Sequence, residues 1–383
     1  MKYTGYHVHT GKPVQVTVEK NIITKVVEAQ DVPGLPFLSP GFLDMQVNGY
    51  KGADYSSETF AEDDASKIIG YLAESGTSQH IPTIVSSPQE LIVRNLKILT
   101  EARRNSSLVE AALPAYHIEG PFISPHDGPR GAHDPAYVRA PSYEEYLQWQ
   151  DAADGLVKLV TLAPEAEGAV RFIEQITKDG TVAAIGHSGA APEDIHAAVS
   201  AGARCSTHLG NGSHSSIPRL KNYIWEQLAA DELTAGIIPD SFHLPGSVVK
   251  VFTRAKGLSR LVIVSDVAVM GGAQPGVYKW GNLGVEVFED GHLGLAGTSF
   301  LAGAGHLLDW NLPRFMEYTG TSLSDTVSLC TTNPARLLNV SPFNTQILEP
   351  GMPAHLTLFH YTPGDQRLQI GKTVINGEEM FSS

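Results

Sequence analysis

The stretch Thr181-Val-Ala-Ala-Ile-Gly-His-Ser-Gly-Ala-Ala-Pro-Glu-Asp-Ile-His-Ala-Ala-Val-Ser-Ala-Gly-Ala-Arg-Cys-Ser-Thr-His208 decides the fold. Residues 181–185 form a short apolar run that ends on Gly186-His187-Ser188. Ala191-Pro192 then has the form of a helix start, since proline costs nothing in the first helical turn, and an amphipathic segment runs to Ala201. A second short apolar run, 203–206, ends on Thr207-His208. Strand, helix, strand in this order is the unit of a parallel sheet, and here each strand closes on a histidine.

The same pattern extends in both directions. Strand-like runs lie at 41–47, 79–85, 113–118, 157–162, 234–238 and 261–264, with helical segments at 61–74, 88–104, 143–152, 169–178, 223–230 and 245–256. Together with the opening unit this makes eight strands alternating with helices, so we expect a closed (β/α)8 TIM-type barrel rather than an open sheet. The chain ends differ. Residues 14–19 and 22–27 alternate as strands about Lys20-Asn21, and 354–359, 368–370 and 373–375 are β-rich, with Asn376-Gly377 as a hairpin turn. We expect one small β-sandwich domain from residues 1–38 plus 345–383, leaving 39–344 to the barrel. Val32-Pro-Gly-Leu-Pro36 reads as the linker, and His7-Val-His9 as exposed histidines outside any metal site.

Composition narrows the partners. Of 383 residues 42% are apolar and 18% charged, as in a folded enzyme, and the formal net charge of −14 argues against nucleic acid. No apolar run approaches the roughly 18 residues of a membrane span, and the N-terminus lacks a signal-peptide core. The two cysteines, Cys205 and Cys330, have no metal-type spacing and suit a reducing compartment, so a cytoplasmic location is expected.

In a barrel the chemistry sits where strands end at the C-terminal face. Those ends carry Gln46 and Asn48, Thr83, Glu119, Glu165, His187, His208, Asp240 with His243, and Asp266. Glu119, His187 and His208 supply a carboxylate and two imidazoles from separate strands, the ligand set that holds a catalytic divalent ion with an open position. Zinc is the expected metal, although iron or cobalt would accept the same ligands. Asp266, after the last strand, suits a proton carrier. Gln46-Val47-Asn48 stands where two-metal barrels place a His-x-His pair, which favours one ion. For substrate, Arg219 and His243 are candidate cations, Gln46 at the first strand end is a further candidate contact, and the 210–219 loop, with Asn211 and Gly212, offers free backbone N–H groups to an anion. Residues 291–299 are glycine-rich without a Gly-Lys-Thr ending, so we expect a mobile loop over the pocket rather than a nucleotide loop.

These motifs in order, from Ser39 to about Phe359, resemble the N-acetylglucosamine-6-phosphate deacetylases, a branch of the amidohydrolase superfamily. The pieces are Pro40-Gly-Phe-Leu-Asp44, Pro82-Thr83, His117-Ile-Glu-Gly-Pro121, Gly131-Ala-His133, Leu162-Ala-Pro-Glu165, Gly186-His-Ser188, Thr207-His-Leu209, Ser265-Asp266, Leu295-Ala-Gly297, Asn333-Pro-Ala-Arg336 and Pro350-Gly351. The resemblance implies one metal on Glu119, His187 and His208, and Asp266 as general base and acid. It implies His133 as the group that polarises the acetyl carbonyl, and sugar-phosphate contacts at Arg219 and His243. It also implies a homodimer. The chain departs from the family at Gly210-Asn-Gly-Ser-His214, where a bulky residue and Asn-Ala-Met usually follow, and at Asp240-Ser-Phe-His243, where Asp-Gly-x-His is usual. Both changes fall on substrate loops. Two other readings stand beside the expected one: a deacylase of another N-acyl amino sugar (unphosphorylated or galacto-type) or N-acyl amino acid, and a catalytically inactive barrel with a binding role.

Overall fold

The computed structural model describes residues 1–280, 283–298, 300–340 and 348–383. Eight strands, Phe42–Val47, Thr77–Val85, Tyr116–Glu119, Val157–Leu162, Val182–Ile185, Cys205–Ser206, Thr234–Ile237 and Leu261–Ile263, pair in chain order as one parallel sheet. The last edge meets the first. Asp266 N–H donates to the Gln46 carbonyl at 3.0 Å, and Asn48 N–H to the Val267 carbonyl at 2.9 Å. The expected barrel is therefore observed.

Alternation along each strand sorts the side chains. Tyr116, Ile118, Val160, Leu162, Ala183 and Ile185 pack outward in a core shared with Trp149 and Phe172 from the helices. Their neighbours Ala115, Leu159, Ala184, Cys205, Val262 and Val264 fill the lower barrel interior. Higher up the interior turns polar: His117 Nε2 lies 2.7 Å from Thr161 Oγ1, which lies 2.6 Å from Thr207 Oγ1. An apolar floor with a satisfied polar layer above it supports whatever the strand ends carry.

The helix between strands five and six shows how the local sequence sets the site. Pro192 opens it, the Asp194 carboxylate accepts the Ala191 N–H at 2.8 Å, and Gly202 at φ 116° ends it. Its length then fixes where strand six starts, and hence where His208 emerges. Helices Tyr143–Ala152 and Ala169–Lys178 match the sequence reading, whereas Leu308–Thr319, Leu323–Ser328 and Thr332–Leu338 had no counterpart there.

The chain ends build one seven-stranded sheet in the order Glu378–Ser382, Gln369–Ile375, Leu356–His360, Phe37–Pro40, Lys2–His7, Pro13–Glu19, Ile22–Glu28. The turns fall as expected, with Lys20 at φ 58°, Asn376 at 50° and Gly377 at 85°. Thr357 and Thr373 hydroxyls donate to the carbonyls of Gly76 and Ala73, tying this sheet to the barrel. The boundary drawn at 344/345 lies outside the described residues. His7 is not exposed: it retains 3% of its accessible surface, because Val8 beside it packs against the barrel core, and its Nδ1 accepts the His9 N–H. The glycine-rich segment also differs from expectation. Leu293–Leu295 is a strand that pairs with Leu283–Val287, which pairs with Gly276–Trp280, while Ser299 lies outside the described residues. Strand pairing, not a free loop, absorbs its backbone polar groups.

Asn333 has a structural explanation. Its Nδ2 donates to the carbonyls of Leu258 and Leu261, at 2.8 and 2.7 Å, clamping helix Thr332–Leu338 to strand eight. Replacing it by alanine takes a donor from both carbonyls, of which that of Leu258 keeps the Leu261 N–H. Asn333→Ala should cost about 1–3 kcal/mol, read as a lower denaturation midpoint at unchanged slope; an unchanged midpoint would remove this role.

Candidate active site

Glu119 ends strand three and is 2% exposed. Its Oε1 lies 3.1 Å from His187 Nε2 and 2.9 Å from His208 Nε2, and the two imidazole nitrogens are 3.0 Å apart. Gln46 Nε2 donates to the same oxygen at 3.0 Å. The three residues that the strand ends suggested as ligands therefore converge on one point.

The surroundings hold them there. The His187 Nδ1 donates to the Pro129 carbonyl at 2.9 Å. A Cβ on Gly212 (φ 55°) would come within 2.8 Å of His187 Nδ1, and one on Gly131 (φ 59°) within 3.1 Å of its Cε1. Two glycine backbones thus pack against the imidazole where no other residue fits. His187, His208 and Asp266 leave their strands at φ 50°, 29° and 53°, a left-handed conformation that costs non-glycine residues energy and gathers at functional sites.

The donor set fits a divalent ion. With the proton of His187 on Nδ1, its Nε2 presents a lone pair to a carboxylate oxygen 3.1 Å away in a buried space. Two facing lone pairs without a cation between them repel, whereas a cation satisfies both. Burial by itself would raise the Glu119 carboxyl; positive charge at the imidazole nitrogens, whether as protons there or as a cation among the same atoms, outweighs it and holds the group well below the usual carboxylate range. Asp266 is pushed up to about 6, by burial and then by the charge of Glu119. Asn48 Nδ2 donates to Asp266 Oδ1 at 2.8 Å and orients it. His133 is buried, with Nε2 3.3 Å from His187 Nε2, and burial lowers it to about 3.

The remaining residues sort by geometry. His243 Nδ1 is held 2.7 Å from Asp240 Oδ2, while the N–H groups of Phe242 and His243 both donate to Oδ1. Asn211 folds back, its Nδ2 donating to the His208 carbonyl. Arg219 is exposed, and among the described residues no partner binds its guanidinium. Glu165 serves its loop: it accepts from Ser188 Oγ and Gly189 N–H, both at 2.7 Å. His126 is exposed, away from the cluster. Ser86 was missed, although it directly follows strand two and its Oγ lies 2.8 Å from His133 Nδ1. The signal for it was position at a strand end. At the altered loop, Ser241 occupies a φ of 84°, the conformation for which the usual glycine is suited, and its hydroxyl bonds Tyr318 at 2.5 Å.

A parallel barrel with a buried Glu/His/His group at the C-terminal ends of its strands has the architecture of a metal-dependent hydrolase. No family model matches the chain. It is 30% identical over 342 residues to N-acetylglucosamine-6-phosphate deacetylase of Bacillus subtilis, covering 88% of this chain and 84% of that protein. It is likewise 30% identical over 366 residues to the Homo sapiens deacetylase, covering 90% and 84%. The crystal structure of N-acetyl-D-glucosamine-6-phosphate deacetylase from Mycobacterium smegmatis superposes with a TM-score of 0.87 at 26% identity, over 99% of both chains. The chain belongs to the N-acetylglucosamine-6-phosphate deacetylase family.

The glycine clamp can be tested directly. Gly212→Ala places a methyl group against His187 at a strained φ and should weaken metal affinity about 10–100-fold, measured by titration of metal-depleted protein. Wild-type affinity would show that the ring does not depend on that close approach.

Proposed function

We propose that this protein hydrolyses N-acetylglucosamine 6-phosphate to glucosamine 6-phosphate and acetate, with one divalent ion, zinc in the first instance, on Glu119, His187 and His208. The observation that carries the reading is the convergence of those three residues, with Asp266 and His133 beside them. The relatives bear the same substrate in their names, and the Mycobacterium smegmatis enzyme has been solved in complex with N-acetyl-D-glucosamine-6-phosphate. The ion's contribution when bound is to acidify a water molecule and polarise the amide carbonyl.

The side chains then have separate tasks. Asp266, oriented by Asn48 and with a raised pKa, takes a proton from the attacking water and delivers it to the departing amine. His133, neutral at pH 7, donates a hydrogen bond to the acyl oxygen as negative charge develops there. Gln46 holds the Glu119 carboxylate in place. His243, backed by Asp240, and Arg219 meet the sugar phosphate, while Asn211 and Gly212 line the loop beside it. An exposed Arg219 whose guanidinium has no partner among the described residues suits a site completed on ligand binding or by a second copy, and we take the enzyme to be a cytoplasmic homodimer. Among the described residues no helix is long and apolar enough to cross a membrane.

Acetate release from N-acetylglucosamine 6-phosphate and from the unphosphorylated sugar tests this. Activity should favour the phosphorylated sugar, disappear with chelator and return with zinc. No release from either sugar by metal-loaded protein would overturn the reading. Arg219→Ala should raise KM about tenfold with kcat nearly unchanged, because it removes binding that ground and transition states share; an unchanged KM would point instead to another N-acyl sugar.

A further inference from the structure

Ser86 is buried immediately beyond the last residue of strand two, Val85. Its Oγ lies 2.8 Å from His133 Nδ1, and its backbone N–H points at the same nitrogen at 3.4 Å. A backbone amide can only donate, so Nδ1 must accept and the imidazole carries its proton on Nε2. A doubly protonated ring would set N–H against N–H at this contact, so the amide disfavours that form too. Gly120 leaves the room that this hydroxyl occupies, since a Cβ there would meet it at 2.3 Å.

The neighbouring histidine is the opposite. His187 Nδ1 faces the Pro129 carbonyl, which can only accept, so its proton sits on Nδ1 and its Nε2 is bare. The two Nε2 atoms, 3.3 Å apart, then differ: that of His187 carries a lone pair and that of His133 a proton. This resolves an ambiguity. Glu119, His133 and His187 each offer a ligand atom within 4.8 Å of one another, and by distance alone could be taken for a metal triad. A histidine protonated on the nitrogen that faces the site cannot ligate through it.

We propose that Ser86 is a positioning residue that holds His133 in the Nε2–H tautomer, so that His133 serves as hydrogen-bond donor to the acyl oxygen rather than as a third imidazole on the metal. The proposal rests on the deacetylase reading for the acyl oxygen; the tautomer itself does not.

Nitrogen NMR of histidine-labelled, zinc-loaded enzyme tests it, with the His133 signals assigned by their loss in His133→Gln. Wild type should show His133 protonated at Nε2 and bare at Nδ1. In Ser86→Ala the amide remains, so that tautomer should persist, but without the hydroxyl that fixes the ring kcat should fall about 10–100-fold while KM stays within about twofold and zinc content is unchanged. A wild-type proton on Nδ1, a Ser86→Ala enzyme with wild-type kcat, or loss of zinc in proportion to activity would each overturn the proposal. If the wild-type enzyme releases no acetate, the deacetylase reading falls, and the tautomer spectrum still decides whether Ser86 sets the proton on His133.

Discussion

A carboxylate buried against two imidazole nitrogens is the constraint on which the upper barrel is built. Burying the charge of Glu119 is costly unless it is neutralised and hydrogen-bonded; Gln46 supplies a hydrogen bond, and the two imidazole nitrogens beside it make a place for positive charge. The requirement spreads outward. His187 must aim Nε2 at the carboxylate, so its other nitrogen is fixed by the Pro129 carbonyl and its ring lies against Gly131 and Gly212. His187, His208 and Asp266 take left-handed conformations to turn inward from three strands. Strain of this kind persists only where the surroundings over-determine it, and here an apolar lower interior and the Thr161–His117 layer do so.

The barrel was legible because its signal is periodic and local. Runs such as 157–162 alternate between two buried faces, and helices such as Pro192–Ala201 carry start and stop residues in their own sequence. Beyond strand eight that legibility fails. Helix Leu308–Thr319 contains Pro313, which breaks the sequence pattern of a helix, although the folded chain accommodates it. Strand Leu293–Leu295 is short and flanked by glycines, so it is defined by its partners, Leu283–Val287 on one side and the bridge from Gly294 to Leu301 on the other.

At the site, residue types at strand ends were readable, whereas their roles depend on contacts made by backbone. Glu165 and Glu119 looked alike in sequence, yet one accepts from Ser188 and Gly189 and supports a loop while the other meets two imidazoles. Strand two ends at Val85 as expected, but the residue that reaches the site is Ser86, just beyond it, which touches His133, rather than the expected Thr83. No pattern of side chains encodes the Pro129 carbonyl or the Ser86 amide as partners. Those are consequences of two loops meeting in space.

This division between side-chain identity and backbone placement explains why the chain can depart from its relatives where it does. At 240–243 the constraint is a backbone turn: Asp240 gathers two N–H groups, and position 241 must take a positive φ. Glycine meets that requirement without strain. Serine meets it at a cost that its bond to Tyr318 offsets. Phe242, freed from the turn's own demands, stacks between His306 and His292, with ring centroids 5.5 and 4.7 Å away. His292 directly precedes strand Leu293–Leu295 of the three-stranded sheet inserted after strand eight, so the turn that presents His243 is also a surface on which that insertion rests. The side chains of the turn can change provided its φ angle and the Asp240 bonds are kept. The Glu119, His187 and His208 cluster has no such latitude, because Glu119 Oε1 and the two Nε2 atoms lie within about 3.1 Å of one another in a buried space.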